Sequence, residues 1–493
     1  MSLSVNEETA YGAKTWSVRQ RMSRPLVMGT GGMVAAGHYA AAFAGLRVLA
    51  AGGNAIDAGV AAGLVLNVVH NDMCSFSGVA PMILYHAATG RVTTIAGVGP
   101  FPRAITLDYF VRERGGKIPA DMSKCVVPAA ADAWLLALRN YGTMRFSEVA
   151  TDAIRLAAEG FPVHHFMAHS IMTMVESYRR HPANREIFLR NGEPPEVGDI
   201  VVQRDLANTL RALCETEERA RARTREQGLD AVRDYFYRGP IAKAMVEFSR
   251  HNGGFLSEED FASFQAPEEP AGRVEYRGVE LYGCGPWSQG PALLIANGIL
   301  DGVPLEQFPH NGPDAVHHIV EALKLGFADR ERYCGDPRFI DVPMDRLTSP
   351  AYLAERRARL DPARACPEMP AAGEIAGYPR PAAAVPEPSG AATAGDEISG
   401  TSYLSVMDRY GNAFSVTPSD GYANGAVIPG LGLHISERGS QSSLDPANPN
   451  VVAPGKRPRL TPNPALVCRG GIPYISFGSP GNDRQPQAMT QAL

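Results

Sequence analysis

Small and apolar residues crowd the stretch 33–50 (MVAAGHYAAAFAGLRVLA), which predicts a mostly buried helix. Gly52-Gly53 supplies a stop, and Asn54 is placed to cap a second helix over Ala55–Val69. That second segment is so rich in small residues that it must pack closely against its neighbours. The next apolar runs read as strand, turn and strand, with Gly90 free to take positive φ in the turn. From about 120 to 370 the pattern is mainly helical, for example over 129–140, 206–213 and 315–330, with a short strand over 274–282. Residues 216–227 (TEERARARTREQ) are a mixed charge run, read as a solvated helix face or loop. The stretch 379–400 is rich in Pro, Ala and Gly and reads as a flexible connector. Behind it the pattern changes to alternation. Tyr403, Ser405 and Met407 share one face, and Ser402, Leu404 and Val406 the other. Asp408-Arg409-Tyr410-Gly411-Asn412 makes a turn and 413–417 returns, a hairpin apolar enough on both faces to lie inside a sandwich.

Composition narrows the field. The 493 residues are 45% hydrophobic and 20% charged, an ordinary globular balance that can bury a large core. The net charge of −5 argues against nucleic acid as a partner, and Lys456, Arg457 and Arg459 form too small a basic group to change that. No uninterrupted apolar span predicts a membrane segment. The polar start MSLSVNEETAYGAKTW has no apolar signal core, so a cytoplasmic location is expected, or a periplasmic one if a leader has been removed. The seven cysteines are odd in number and lack CxxC spacing, which predicts inert thiols rather than a metal or disulfide framework. No metal or nucleotide motif is present, so no cofactor is expected. His38, His70, His164, His165 and His317-His318 are scattered and read as structural.

On its own, a threonine opening a strand is unremarkable in chemical terms. The wider pattern is not. TSYLSVMDRYGNAFSVT resembles the nucleophile strand of γ-glutamyltranspeptidases, whose usual form is Thr-Thr-His-x-Ser-Val-x-Asp-x-x-Gly-Asn-Ala. GMVAAGHYAAAFAGLRVLAAGGNAIDAGVAAGLVLNVV, EALKLGFADRERYCGDPRF, GKRPRLTPNP and FGSPGNDRQ resemble further blocks of that family, in order, over about residues 30–490. The resemblance implies an α+β fold, a four-layer αββα sandwich of the N-terminal-nucleophile hydrolase type. It implies a proenzyme cut between Gly400 and Thr401, with 1–400 as the large-subunit portion and 401–493 as the small-subunit portion of one intertwined fold. The two fragments would stay together as a heterodimer, with further association left open. The portion 401–493 is shorter than the small subunit usual in the family.

The same resemblance implies roles. Thr401 is the nucleophile, and its freed α-amine, whose ordinary pKa is about 7.7–8.0, is the general base. Gly481 and Asn482 supply backbone N–H groups as an oxyanion hole. Ser419 positions the nucleophile, with Thr417 the alternative if the register shifts by two. The family's substrate-binding positions fall on Arg438, Gln441, Leu460 and Thr461. Here the chain departs from the pattern. Val98 stands where an arginine usually clamps the γ-glutamyl α-carboxylate, and Arg438 stands where an acidic or amide group usually holds the α-amine. A cation at that place disfavours an amino-acid head group and suits a carboxylate. PGLGLHISERGSQ and GKRPRLTPNPALV look like the oxamate amidohydrolase branch. The expected substrate is a small carboxylate amide such as oxamate. γ-Glutamyl transfer or glutathione hydrolysis, cephalosporin or glutaryl acylase activity, and an unprocessed, silent member are the alternatives.

Overall fold

The computed structural model describes residues 26–220, 224–378, 400–423 and 425–493. The connector at 379–399 therefore lies outside the described residues, whereas both residues of the expected cleavage bond lie within them. In chain order the elements that position the site are β1 (Gly32–Ala36), α1 (Tyr39–Ala50), α2 (Ala55–Val69), β2 (Met82–His86), β3 (Arg91–Ile95), α3 (Ala130–Tyr141), α4 (His165–Thr173) and α5 (Arg204–Arg219). They continue with β4 (Glu268–Pro270), β5 (Gly272–Tyr276), β6 (Val279–Gly283), α6 (Gly290–Leu300), α7 (Pro313–Tyr333), β7 (Leu404–Asp408), β8 (Ala413–Val416), β9 (Ala465–Arg469) and β10 (Ile472–Phe477).

Six strands form one antiparallel sheet in the order β1-β7-β8-β2-β3-β4, and four form a second in the order β10-β9-β6-β5. Alternation along the β7–β8 hairpin explains how they stack. Leu404, Val406, Phe414 and Val416 point to the helical layer of α1 and α2. Ala413 and Met407 point the other way and meet Leu466 and Cys284 of the second sheet. The far side of that sheet is covered by α6 and α7. Helices, sheet, sheet and helices give the αββα order expected.

Close packing of α2 follows from its glycines. A Cβ on Gly59 would fall 2.1 Å from the Phe414 ring, and one on Gly63 2.3 Å from Trp134. The helix starts as expected at Asn54, whose side chain accepts from Ile56 and Asp57 N–H while Asp57 caps back on Asn54 N–H. Two expectations need correction. The helix expected over 33–50 begins only at Tyr39, because Gly32–Ala36 pairs with Leu404–Asp408 and becomes an edge strand. The strand expected over 274–282 is a hairpin of β5 and β6, turned at Arg277-Gly278, both with positive φ. The three cations near 456 are turned inward: Lys456 donates to Pro449 O, Arg457 joins Asp336 and Glu269, and Arg459 joins Glu331. No helix among the described residues is long and apolar enough to cross a membrane. The cysteines described form no disulfide, and burial raises the thiols of Cys74, Cys125, Cys284 and Cys334.

Candidate active site

The backbone brings Thr401 to the site before any side chain does. The residues ahead of β7 bridge to those following β8, so that Thr401 lies opposite Ser419, and Ser402 N–H donates to Pro418 O. Ser419 is held on its other side by Val79, through Ser419 N–H to Val79 O at 2.9 Å. This settles the register. Ser419, not Thr417, reaches Thr401, with Thr401 Oγ1 and Ser419 Oγ 2.8 Å apart. Thr417 ties its N–H to Pro81 O, and its buried hydroxyl has no partner among the described residues.

Three donors converge on the Gly400 carbonyl oxygen: Ser419 Oγ at 2.5 Å, Arg438 Nη2 at 2.9 Å and Asp420 N–H at 3.1 Å. Arg438 Nη2 also donates to Ser419 Oγ. A hydroxyl has one proton to give, and a carbonyl oxygen can only accept. The Ser419 proton therefore goes to Gly400, and its oxygen accepts from Arg438 and from the Thr401 hydroxyl. The arrangement polarises the Gly400 carbonyl and orients the Thr401 oxygen. Gly400 has no room for a side chain, since a Cβ would fall 2.4 Å from Met73 Cα.

Asp420 was not legible as a site residue. It takes φ of +76°, uncommon for a residue with a Cβ, and so aims its N–H at Gly400. Its carboxylate accepts from Ser436 Oγ at 2.5 Å and Glu437 N–H at 3.1 Å and lies 3.9 Å from Arg438 Nε. Burial pushes this carboxyl up, but His434, Arg438 and Ser436 outweigh it and hold it below its ordinary value. Lys124 pairs with Glu437 at 2.8 Å beneath. Burial still raises the Glu437 carboxyl against that partner.

The remaining predicted positions separate. Gln441 and Thr461 bond each other twice, at 3.1 Å each way. The side chain of Leu460 lies in the apolar core with Val98, both fully buried. Gly478 packs against the Tyr403 ring, which seats the following loop beside the segment that begins at Thr401. In that loop Gly481 and Asn482 have φ of +112° and +49°, and neither N–H meets an acceptor among the described residues. They donate nothing to Gly400 O.

A second feature escaped the sequence. His38, His70 and His164, far apart in the chain, stand together with ring centroids 5.0 Å (His38–His164) and 5.3 Å (His70–His164) apart. His70 Nδ1 lies 3.0 Å from Ser402 Oγ, next in the chain to Thr401.

A profile of the Gamma-glutamyltranspeptidase family matches residues 41–493. The chain is 31% identical to the glutathione hydrolase-like YwrD proenzyme of Bacillus subtilis, over 95% of its own length and 82% of the relative's. It is 29% identical to the oxamate amidohydrolase proenzyme of Klebsiella pneumoniae, over 93% and 80%. Among solved structures, the cephalosporin acylase of Bacillus halodurans superposes with a TM-score of 0.78 at 28% identity, over 96% of this chain and 82% of that one.

Proposed function

Because this chain belongs to the γ-glutamyltranspeptidase family of N-terminal-nucleophile amidohydrolases, we propose that it cuts itself between Gly400 and Thr401 and then hydrolyses a small carboxylate amide such as oxamate. In processing, the Thr401 hydroxyl attacks the Gly400 carbonyl carbon. The hydroxyl proton passes to Ser419 as Ser419 gives its own to the carbonyl oxygen. Asp420 N–H and Arg438 stabilise the charge that develops there. Collapse of this intermediate breaks the Gly400–Thr401 C–N bond, with the proton going to the departing amine. Water then hydrolyses the resulting ester, which leaves Gly400 as a carboxylate and frees the Thr401 hydroxyl beside the α-amine already released. That amine, partly neutral near pH 7–8, serves as base for its own hydroxyl in turnover. Gly481 and Asn482, with their unclaimed N–H groups, receive the substrate oxyanion.

The observation that carries the substrate class is Arg438, buried with its guanidinium on the Gly400 oxygen and Ser419. Once Gly400 has left, that guanidinium faces the acyl position beside Thr401 and matches a carboxylate one bond from the scissile carbonyl. Val98 in the apolar core offers nothing to an amino-acid α-carboxylate. The oxamate-cleaving relative favours the same reading. The test is ammonia release from oxamate beside release from a γ-glutamyl anilide, with native protein and Arg438→Gln. Oxamate turnover that falls by about 10²-fold or more in the variant is expected, since a charge-assisted contact is lost. Turnover of the anilide without oxamate would assign γ-glutamyl chemistry instead.

A further inference from the structure

We propose that His70, Asp72 and His164 form a binding site for one divalent transition-metal ion, of which Zn²⁺ is the probe of choice. One ligand atom from each residue lies within 4.8 Å of the other two. Ions with ligand distances of about 2.0–2.2 Å need their donors about 3–4.4 Å apart, so a small contraction closes the set. Two imidazoles and one carboxylate are a donor set that Zn²⁺ accepts, with a further position left for water.

The second observation is what the protein itself fails to satisfy. Asp72 is fully buried, and neither carboxylate oxygen has a hydrogen-bond partner among the described residues. The Ser170 hydroxyl beside it falls short of hydrogen-bond geometry and is also without a partner. An orphaned buried carboxylate is costly. His164 Nε2 is unpartnered as well. Coordination there shifts the ring proton to Nδ1 and releases the 3.3 Å cap contact from Met167 N–H together with the ring's approach to the Val69 backbone. His70 coordinates through Nε2, and its Nδ1–H donates to Ser402 Oγ, the outer-shell bond that fixes tautomer and ring angle in metal sites. Exposed Phe166 packs edge-on against His70, and His164 is only half-buried, so the cluster lies near the surface.

The ion joins three segments: the C-terminal cap of α2, the turn after it and the N-terminal cap of α4. Gly400 rests on Asp72 and Met73 of that same turn. The metal thus braces the floor beneath the cleavage bond, and takes no part in the chemistry.

The experiment is calorimetric titration of chelator-treated full-length protein with Zn²⁺, beside His164→Asn, which keeps a capping side chain, and Asp72→Asn. Expected are one ion per chain with micromolar or tighter affinity, weakened at least about 100-fold in either variant. Ser402→Ala keeps all three ligands and should weaken binding about 10–100-fold. X-ray absorption of the native complex reads two imidazoles and a carboxylate without any variant. Absence of stoichiometric binding, affinity unchanged in the variants, or a first shell without two imidazoles overturns the proposal.

Discussion

At the residue scale, Thr401 and Ser419 were readable as a candidate nucleophile and its positioning hydroxyl because the segment that holds both resembles one family's motif. Thr401 and Ser419 are brought together by a hairpin whose alternation is local. Thr401→Ala should abolish cleavage, giving one full-length mass under denaturing conditions where the native protein gives two fragments. Ser419→Ala removes a donor from Gly400 O and an acceptor from Thr401 together. It should slow fragment appearance by about 10²–10³-fold, the typical loss of an oxyanion donor, read by time-resolved intact mass. Arg438 was legible as an unusual cation, but not as a donor to the bond to be cut. Asp420 was not legible, because its part is played by a backbone N–H that only its φ directs. The three clustered histidines gave no signal either, since no local spacing joins positions 38, 70 and 164.

At the element scale, patterns that depend on one segment were read well, and those that depend on a partner were not. Helix α2 and its cap follow from small residues behind an Asn-x-x-Asp box. The Gly32–Ala36 strand does not, since Met-Val-Ala-Ala suits a helix until β7 offers it a ladder of hydrogen bonds. The glycines of α2 set the distance between the helical layer and the first sheet. Gly59→Ala drives a methyl group into the Phe414 ring and should destabilise by about 1–3 kcal/mol, measured by urea denaturation.

At the scale of the whole molecule, the second sheet and its helices are tied to the last part of the chain by buried charge. Glu331 of α7 accepts from Arg330 and from Arg459, and Arg330 also reaches Asp483. Burial alone would raise the Glu331 carboxyl, but Arg459 and Arg330 outweigh it and hold it at about 2, below its ordinary 4.5. A carboxyl depressed in the folded state contributes fully above its unfolded pKa and loses that contribution as pH falls. Stability should therefore drop between about pH 4.5 and 2 through this group. Glu331→Gln should flatten that part of the profile, and at pH 7 should cost about 3–5 kcal/mol by leaving two cations without their shared partner. Both effects are read from denaturation midpoints across pH.

The sequence by itself determined the family, through motifs in fixed order, and with the family the expected αββα order and Thr401 as the candidate nucleophile. It also determined the Ser419 hydroxyl and the loss of the usual α-carboxylate clamp at Val98. Only the tertiary structure decided that Arg438, Ser419 and Asp420 meet on one carbonyl oxygen, that the cations near 456 turn inward, and that His70, Asp72 and His164 share a buried space. Those outcomes depend on how sheets and helices far apart in the chain come to lie against one another. Hydrogen-bond direction and desolvation are properties of that closed arrangement, and no single segment carries them.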